Sequence, residues 1–113
     1  MIEPGANEEF LRFLAAQRVD YVRALPSKLA EVQRLWDAVS KGPAAPGELE
    51  GLVRAVHNLA GSGAVFGFEE FGAAAKSLEL LLQALAESPE RPQGIATVED
   101  AIARLQSCAP GMA

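Results

Sequence analysis

The only histidine in the 113-residue chain, His57, is the residue whose type and setting point most directly to chemistry. It lies in an apolar-periodic stretch, so helical geometry assigns each neighbour an angle. With His57 at 0°, Glu50 falls at about 20°, Gly61 at about 40°, Arg54 at about 60° and Asn58 at about 100°. The apolar arc of Leu49, Leu52, Val53, Val56, Leu59, Ala60 and Gly63 centres near roughly 260°. The imidazole therefore sits at the edge of the exposed face. One ring nitrogen there can be held by neighbouring groups while the other stays open to a visiting macromolecule, an arrangement suited to a nucleophile. Gly61, one turn further on, removes a side chain that would shield the ring. Mid-helix glycine costs about 1 kcal/mol relative to alanine, so Gly61 and Gly63 need a reason. Close helix approach explains Gly63, which points inward, and does not explain Gly61, which points outward.

Other chemistries lack their residues. One His and one Cys, without an HExxH or CxxC pair, leave no metal-ligand spacing, and neither a Walker loop nor a dinucleotide fingerprint is present. Ser, His and Asp all occur, but nothing resembles the strained elbow of a hydrolase nucleophile. No bound cofactor and no resident metal are expected.

The elements that must position His57 read as helices, because Ala and Leu dominate the apolar half of the composition while Ile, Thr, Tyr and Trp are scarce. After Asn7 as N-cap, Phe10, Leu14 and Tyr21 recur at near-helical spacing, and the first helix is expected to reach about Ala24. Pro26, lacking an amide hydrogen, either kinks one long helix or occupies the first turn of a new one, and a break in the helix is the expectation. A second helix places Leu29, Val32, Leu35, Trp36 and Val39 on one stripe and stops at Lys41-Gly42-Pro43. The third, carrying His57, runs from about Pro46 to Phe66, and Gly67 turns the chain. The fourth aligns Phe71, Ala75, Leu78, Leu82 and Leu85 until Ser88, Pro89 and Pro92 end it. The last has Ile95, Val98, Ile102 and Leu105 as its seam. Faces this wide, joined by short connections, predict an all-α fold: an antiparallel four-helix bundle with an additional N-terminal helix. Residues 1–113 make one domain, with short flexible ends at about 1–6 and 109–113.

Charge narrows the partners. Ten Lys plus Arg against 15 Asp plus Glu give a net −5, the wrong sign for gripping nucleic acid phosphates. The opening residues do not read as a signal peptide, and no run approaches the ~18 apolar residues of a membrane span. The lone Cys108 has no internal disulfide partner. A cytoplasmic protein is expected, without nucleic acid or membrane partners, and with one continuous core that permits a monomer.

The segment His57-Asn58-Leu59-Ala60-Gly61-Ser62, followed by Val65-Phe66-Gly67-Phe68 and then Leu78-Glu79, resembles the histidine phosphotransfer (HPt) family over essentially the whole chain. The resemblance implies a phosphorelay intermediate, not an ATP-turning enzyme. His57 would take a phosphoryl group from the aspartate of a response-regulator receiver domain, or return it. That receiver would bring the Mg²⁺, and a hybrid histidine kinase is a further partner. Many members carry a lysine three residues after the histidine, where this chain has Ala60. Lys76 is the leading substitute and Arg54 the second. His57 stands ten positions before Gly67 and Lys76 nine after it, so antiparallel helices set them at similar heights. Lys76 and Glu79, at i and i+3, share an edge on which Glu79 would orient the ring. Each also has a plainer reading as surface charge, Arg54 pairing with Glu50. The docking face is expected around Glu50, Arg54, Asn58, Gly61 and Val65. Ala60 leaves a second reading open: a helical adaptor that docks signalling proteins without carrying phosphate.

Overall fold

A computed structural model describes residues 4–41, 47–87 and 92–111. Four helices account for nearly all of them: α1 (Pro4–Lys41), α2 (Glu48–Val65), α3 (Glu69–Glu87) and α4 (Pro92–Cys108). The fold is an all-α bundle. α2 packs along α3, α3 along α4, and α1 closes the set against α2 and, over a shorter stretch, α4. Phe71, Leu25, Leu52, Leu78, Leu82 and Leu105 fill the core with essentially no exposed surface.

The expected break at Pro26 is absent, and the first two predicted helices are one helix of 38 residues. Pro26 is exposed, and it falls between buried Leu25 and Leu29. The carbonyl of Val22, deprived of its donor, thus lies on the solvent side of the helix. An interior proline costs about 3 kcal/mol, whereas each large side chain buried stabilises by about 1.5–3 kcal/mol. Tyr21, Leu25, Leu29, Val32 and Trp36 form one buried stripe that crosses the proline, so burial on both sides outweighs the local penalty.

The ends also differ from expectation. Pro4 to Ala6, expected in a flexible end, belong to the first turns of α1, so Asn7 lies inside the helix and does not cap it. Pro92 opens α4, where its missing N–H has no helical partner to lose, instead of ending α3. Ala109, also assigned to a flexible end, is buried. The predicted stops at Gly42-Pro43 and Ser88-Pro89, and the start at Pro46, fall outside the described residues. Among the described residues, the third predicted helix begins at Glu48, after Gly47 in the left-handed region at φ 108°.

At the other end of α2 the reversal is built from the backbone. Gly67 has φ 83°, its N–H bonds the Ala64 carbonyl at 3.1 Å, and the Phe68 N–H bonds the Gly63 carbonyl at 2.8 Å. This is a Schellman C-cap, which needs a residue that tolerates positive φ. It turns α3 back along α2 and brings the glycines of the two helices together. A Cβ on Gly63 would lie 3.1 Å from the Gly72 backbone, and one on Gly72 would lie 3.2 Å from the Ala60 carbonyl. The close contact of α2 with α3 carries His57 up against the side chains of α3.

Candidate functional site

His57 projects from the middle of α2 with its side chain 64% exposed. Its Nδ1 lies 2.8 Å from Oε2 of Glu79 on α3. Glu79 is the buried charged residue of the core, 4% exposed. A carboxylate accepts, so Nδ1 carries the hydrogen of this bond. In the neutral ring that leaves the lone pair on Nε2, at the open end of the imidazole.

Glu79 has further partners. Lys76 Nζ donates to Oε1 at 3.3 Å, and Gln83 Nε2 donates to Oε2 at 3.5 Å. Burial alone would push the carboxyl upward. The hydrogen bonds from His57 and Lys76, with their charges, outweigh it and hold Glu79 below its ordinary 4.5. The stability that follows is present above about pH 4.5 and is lost as pH falls through the lowered folded-state value. Acid titration of unfolding free energy should therefore show a shallower acid limb in Glu79→Gln than in the parent. Superimposable limbs would mean that the carboxylate contributes nothing as an ion.

The ring stands at one side of a shallow hollow of ≈ 440 Å³ between α2 and α3. Ala60, Gly61, Ala64, Gly72 and Ala73 line it, with Lys76 and Glu79 across from His57. The angular reading of the two glycines agrees with this layout. Gly63 is buried against α3, while a Cβ on Gly61 would meet nothing within 4 Å. Gly61 thus keeps open the approach to the imidazole.

Of the residues singled out in the sequence, His57, Lys76, Glu79 and Gly61 come together in this hollow. Arg54 is exposed one turn from His57, does not line the hollow, and makes no ion pair with Glu50 or another acid among the described residues. Glu50 and Asn58 are exposed, and Val65 is 80% exposed at the end of α2. Sequence reasoning missed Gln83, although its i+4 spacing from Glu79 on one helix face was a readable signal. Ser62, at about 140° from His57 by helical angle, reads as a helix-packing or solvent-facing residue, and the structure shows the packing. The Ser62 hydroxyl bonds the Asn58 carbonyl at 2.7 Å and the Tyr21 hydroxyl at 2.9 Å, tying the His57 helix to α1. Burial raises Tyr21 above its ordinary 10.0, opposed in part by Ser62, so the phenol stays neutral in that contact.

The buried carboxylate, the half-held imidazole and the small-residue floor lie within residues 16–108, which match the family model described as Hpt domain. The chain belongs to the Hpt domain family. No curated protein and no solved structure matches it. Hpt domains are phosphotransfer intermediates in phosphorelays that interact with receiver domains and kinases, and they are not enzymes in the ordinary sense. Among the described residues, no helix is long and apolar enough to cross a membrane, and no cluster of three or more His, Cys, Asp or Glu is placed to hold a metal ion.

Proposed function

We propose that His57 is the phosphoacceptor of this Hpt domain and exchanges its phosphoryl group with the aspartate of a response-regulator receiver. The observation that carries the reading is the 2.8 Å contact of Nδ1 with the buried Glu79 carboxylate, on a ring whose other nitrogen is exposed. Nε2 attacks phosphorus in line. The N–P bond forms as the bond from phosphorus to the aspartyl oxygen breaks, and the receiver recovers its carboxylate. Glu79 keeps the Nδ1 proton in place and offsets the positive charge that grows on the ring. The receiver supplies Mg²⁺, so the chain itself contributes a positioned nitrogen and one cation, and a kinase can load the same nitrogen.

Lys76 is that cation. Its Nζ is tethered to Glu79 on the far side of the hollow, so the ammonium can meet equatorial phosphoryl oxygens in place of the lysine absent at Ala60. Lys76→Ala should slow transfer or shorten phosphohistidine lifetime several-fold, and Arg54→Ala should do so less. Equal lifetimes and rates in Lys76→Ala and the parent would remove Lys76 from the site.

Docking uses the exposed face of Glu50, Arg54, Asn58, Gly61 and Val65, an apolar spot among polar residues of the kind small transient interfaces employ. Val65→Asp should weaken receiver affinity about tenfold, roughly 1.4 kcal/mol, with an unchanged melting curve. Unchanged affinity in a binding titration would place the interface elsewhere.

The deciding experiment incubates the chain with a ³²P-labelled receiver or kinase. Label that survives base, is lost in acid and is absent from His57→Gln supports the relay. Docking without label, across all receivers and kinases of the source organism, would favour the adaptor reading that Ala60 leaves open.

A further inference from the structure

We infer that the N-terminal turns of α1 pair antiparallel with the same turns of a second copy of this chain. A helix of 38 residues is about 57 Å long, twice the ~27 Å of α2, and it accounts for the molecule's 58 Å longest dimension. Beyond the α2–α3 turn, α1 therefore continues as an overhang. Phe10, Leu11 and Phe13 are 58–63% exposed there and Leu14 is 36% exposed. The overhang is not polar like an ordinary projecting helix. At 100° per residue, Phe10, Leu11 and Leu14 fall in the same arc as Tyr21, Leu25, Leu29 and Val32. The stripe that is core inside the bundle thus runs on past its end with nothing over it.

Area, sterics and charge together select the occupant. On the stripe, Phe10, Leu11 and Leu14 present roughly 300 Å² of apolar surface per chain, and Phe13 on its flank brings this to roughly 450 Å², so a symmetrical pair that also covers the flanks reaches the ~1,000 Å² at which specific interfaces begin. Packed helices approach to ~8–10 Å, whereas the bundle is 22–27 Å thick and lies on the stripe's own side of α1. Parallel pairing would drive two bundles into each other. Antiparallel pairing sets them at opposite ends. It also brings Glu8 and Glu9 to the level of Arg18 of the second copy and opposes the helix dipoles, while parallel pairing faces acid with acid. A hollow of ≈ 450 Å³ lies where the overhang meets the bundle, lined by Ala15, Val19, Val22 and Phe68 with Arg18 and Arg23 at its rim. It lies at the level that the first turns of the second helix reach, on the flank of the stripe. The His57 hollow is lined by α2 and α3 alone, so both sites stay open in the pair.

Sedimentation equilibrium tests this on the whole chain. The parent should approach twice the chain mass by ~100 µM, and Leu11→Asp with Leu14→Asp should raise the dissociation constant at least tenfold. At concentrations where the parent is a single chain, the melting curve of that variant should match the parent's, because both positions lie outside the core. In a Cys108→Ser background, spin labels at Arg12→Cys should be closer between chains than labels at Asn7→Cys. A parent that keeps one-chain mass at ~300 µM overturns the proposal. So do equal label separations, which mean parallel pairing. Broadening of the residue 8–14 amide resonances on adding receiver to such a monomer would assign the stripe to the receiver instead.

Discussion

Gly63→Val is expected to destabilise the bundle by about 2–3 kcal/mol, a drop of roughly 10–20 °C in melting temperature. The clash is with backbone, which cannot swing aside. An added Cβ would stand 3.1 Å from Cα and N of Gly72 and 3.2 Å from Cδ2 of Phe71, itself fully buried. Valine adds two methyl groups beyond that Cβ, so α2 and α3 must separate along their closest contact. A domain of this size has a total stability of about 5–15 kcal/mol, so the loss is a substantial fraction of it. Gly61→Val, two residues away, is the control. Its Cβ meets nothing within 4 Å, and valine is a better helix former than glycine, so this variant should melt at or above the parent. It should nevertheless transfer phosphate poorly, because its methyl groups stand beside the imidazole. Equal melting of Gly63→Val and parent by thermal or urea denaturation would mean that the α2–α3 contact is looser than these distances describe.

The same two glycines mark how far the sequence could be read. Their opposite roles followed from helical angle alone, because angle decides whether a missing side chain faces a neighbour or solvent. The meeting of His57 with Lys76 and Glu79 was expected from the family resemblance, supported by the spacing of His57 and Lys76, ten before and nine after Gly67, and by the i, i+3 edge that Glu79 shares with Lys76. Where local signals met tertiary burial, reading failed. Pro26 carries every mark of a helix break, and only the buried stripe on both sides of it, built with α2 and α4, keeps α1 whole. Pro92 presents the same ambiguity, since a proline that cannot continue one helix is well suited to begin the next. The overhang was hidden for the same reason. Phe10 and Leu14 have the periodicity of core residues, and no pattern in α1 tells where the helices that cover it stop. Gln83 and Ser62 carry no strong chemistry of their own, and their parts emerge only once Glu79 and Tyr21 are seen beside them.

The largest expected effect on transfer, short of removing His57, belongs to Glu79, which under the proposed function is a positioning residue acting through the ring. In Glu79→Gln the shape is kept and the charge is lost. The amide offers both a donor and an acceptor to Nδ1, so the ring can carry its proton on either nitrogen, and the tautomer with the proton on Nε2 has no lone pair to attack with. The variant also loses the anion that offsets charge developing on the imidazole, and Lys76 loses its ion-pair partner. Misplacement of a reacting atom by about 1 Å can cost 10²-fold, so the transfer rate should fall by about 10- to 100-fold. Glu79→Ala should fall at least as far, since the ring then has nothing to hold it. A merely structural role would leave one readout unmoved: the ¹⁵N shifts of His57 should report the Nδ1–H tautomer in the parent and a mixture in Glu79→Gln. Glu79→Asp, one methylene shorter, should recover part of the rate if an intervening water restores the contact with Nδ1. A parent-like tautomer and transfer rate in Glu79→Gln would show that the exposed imidazole alone suffices, and that the buried carboxylate serves the bundle only.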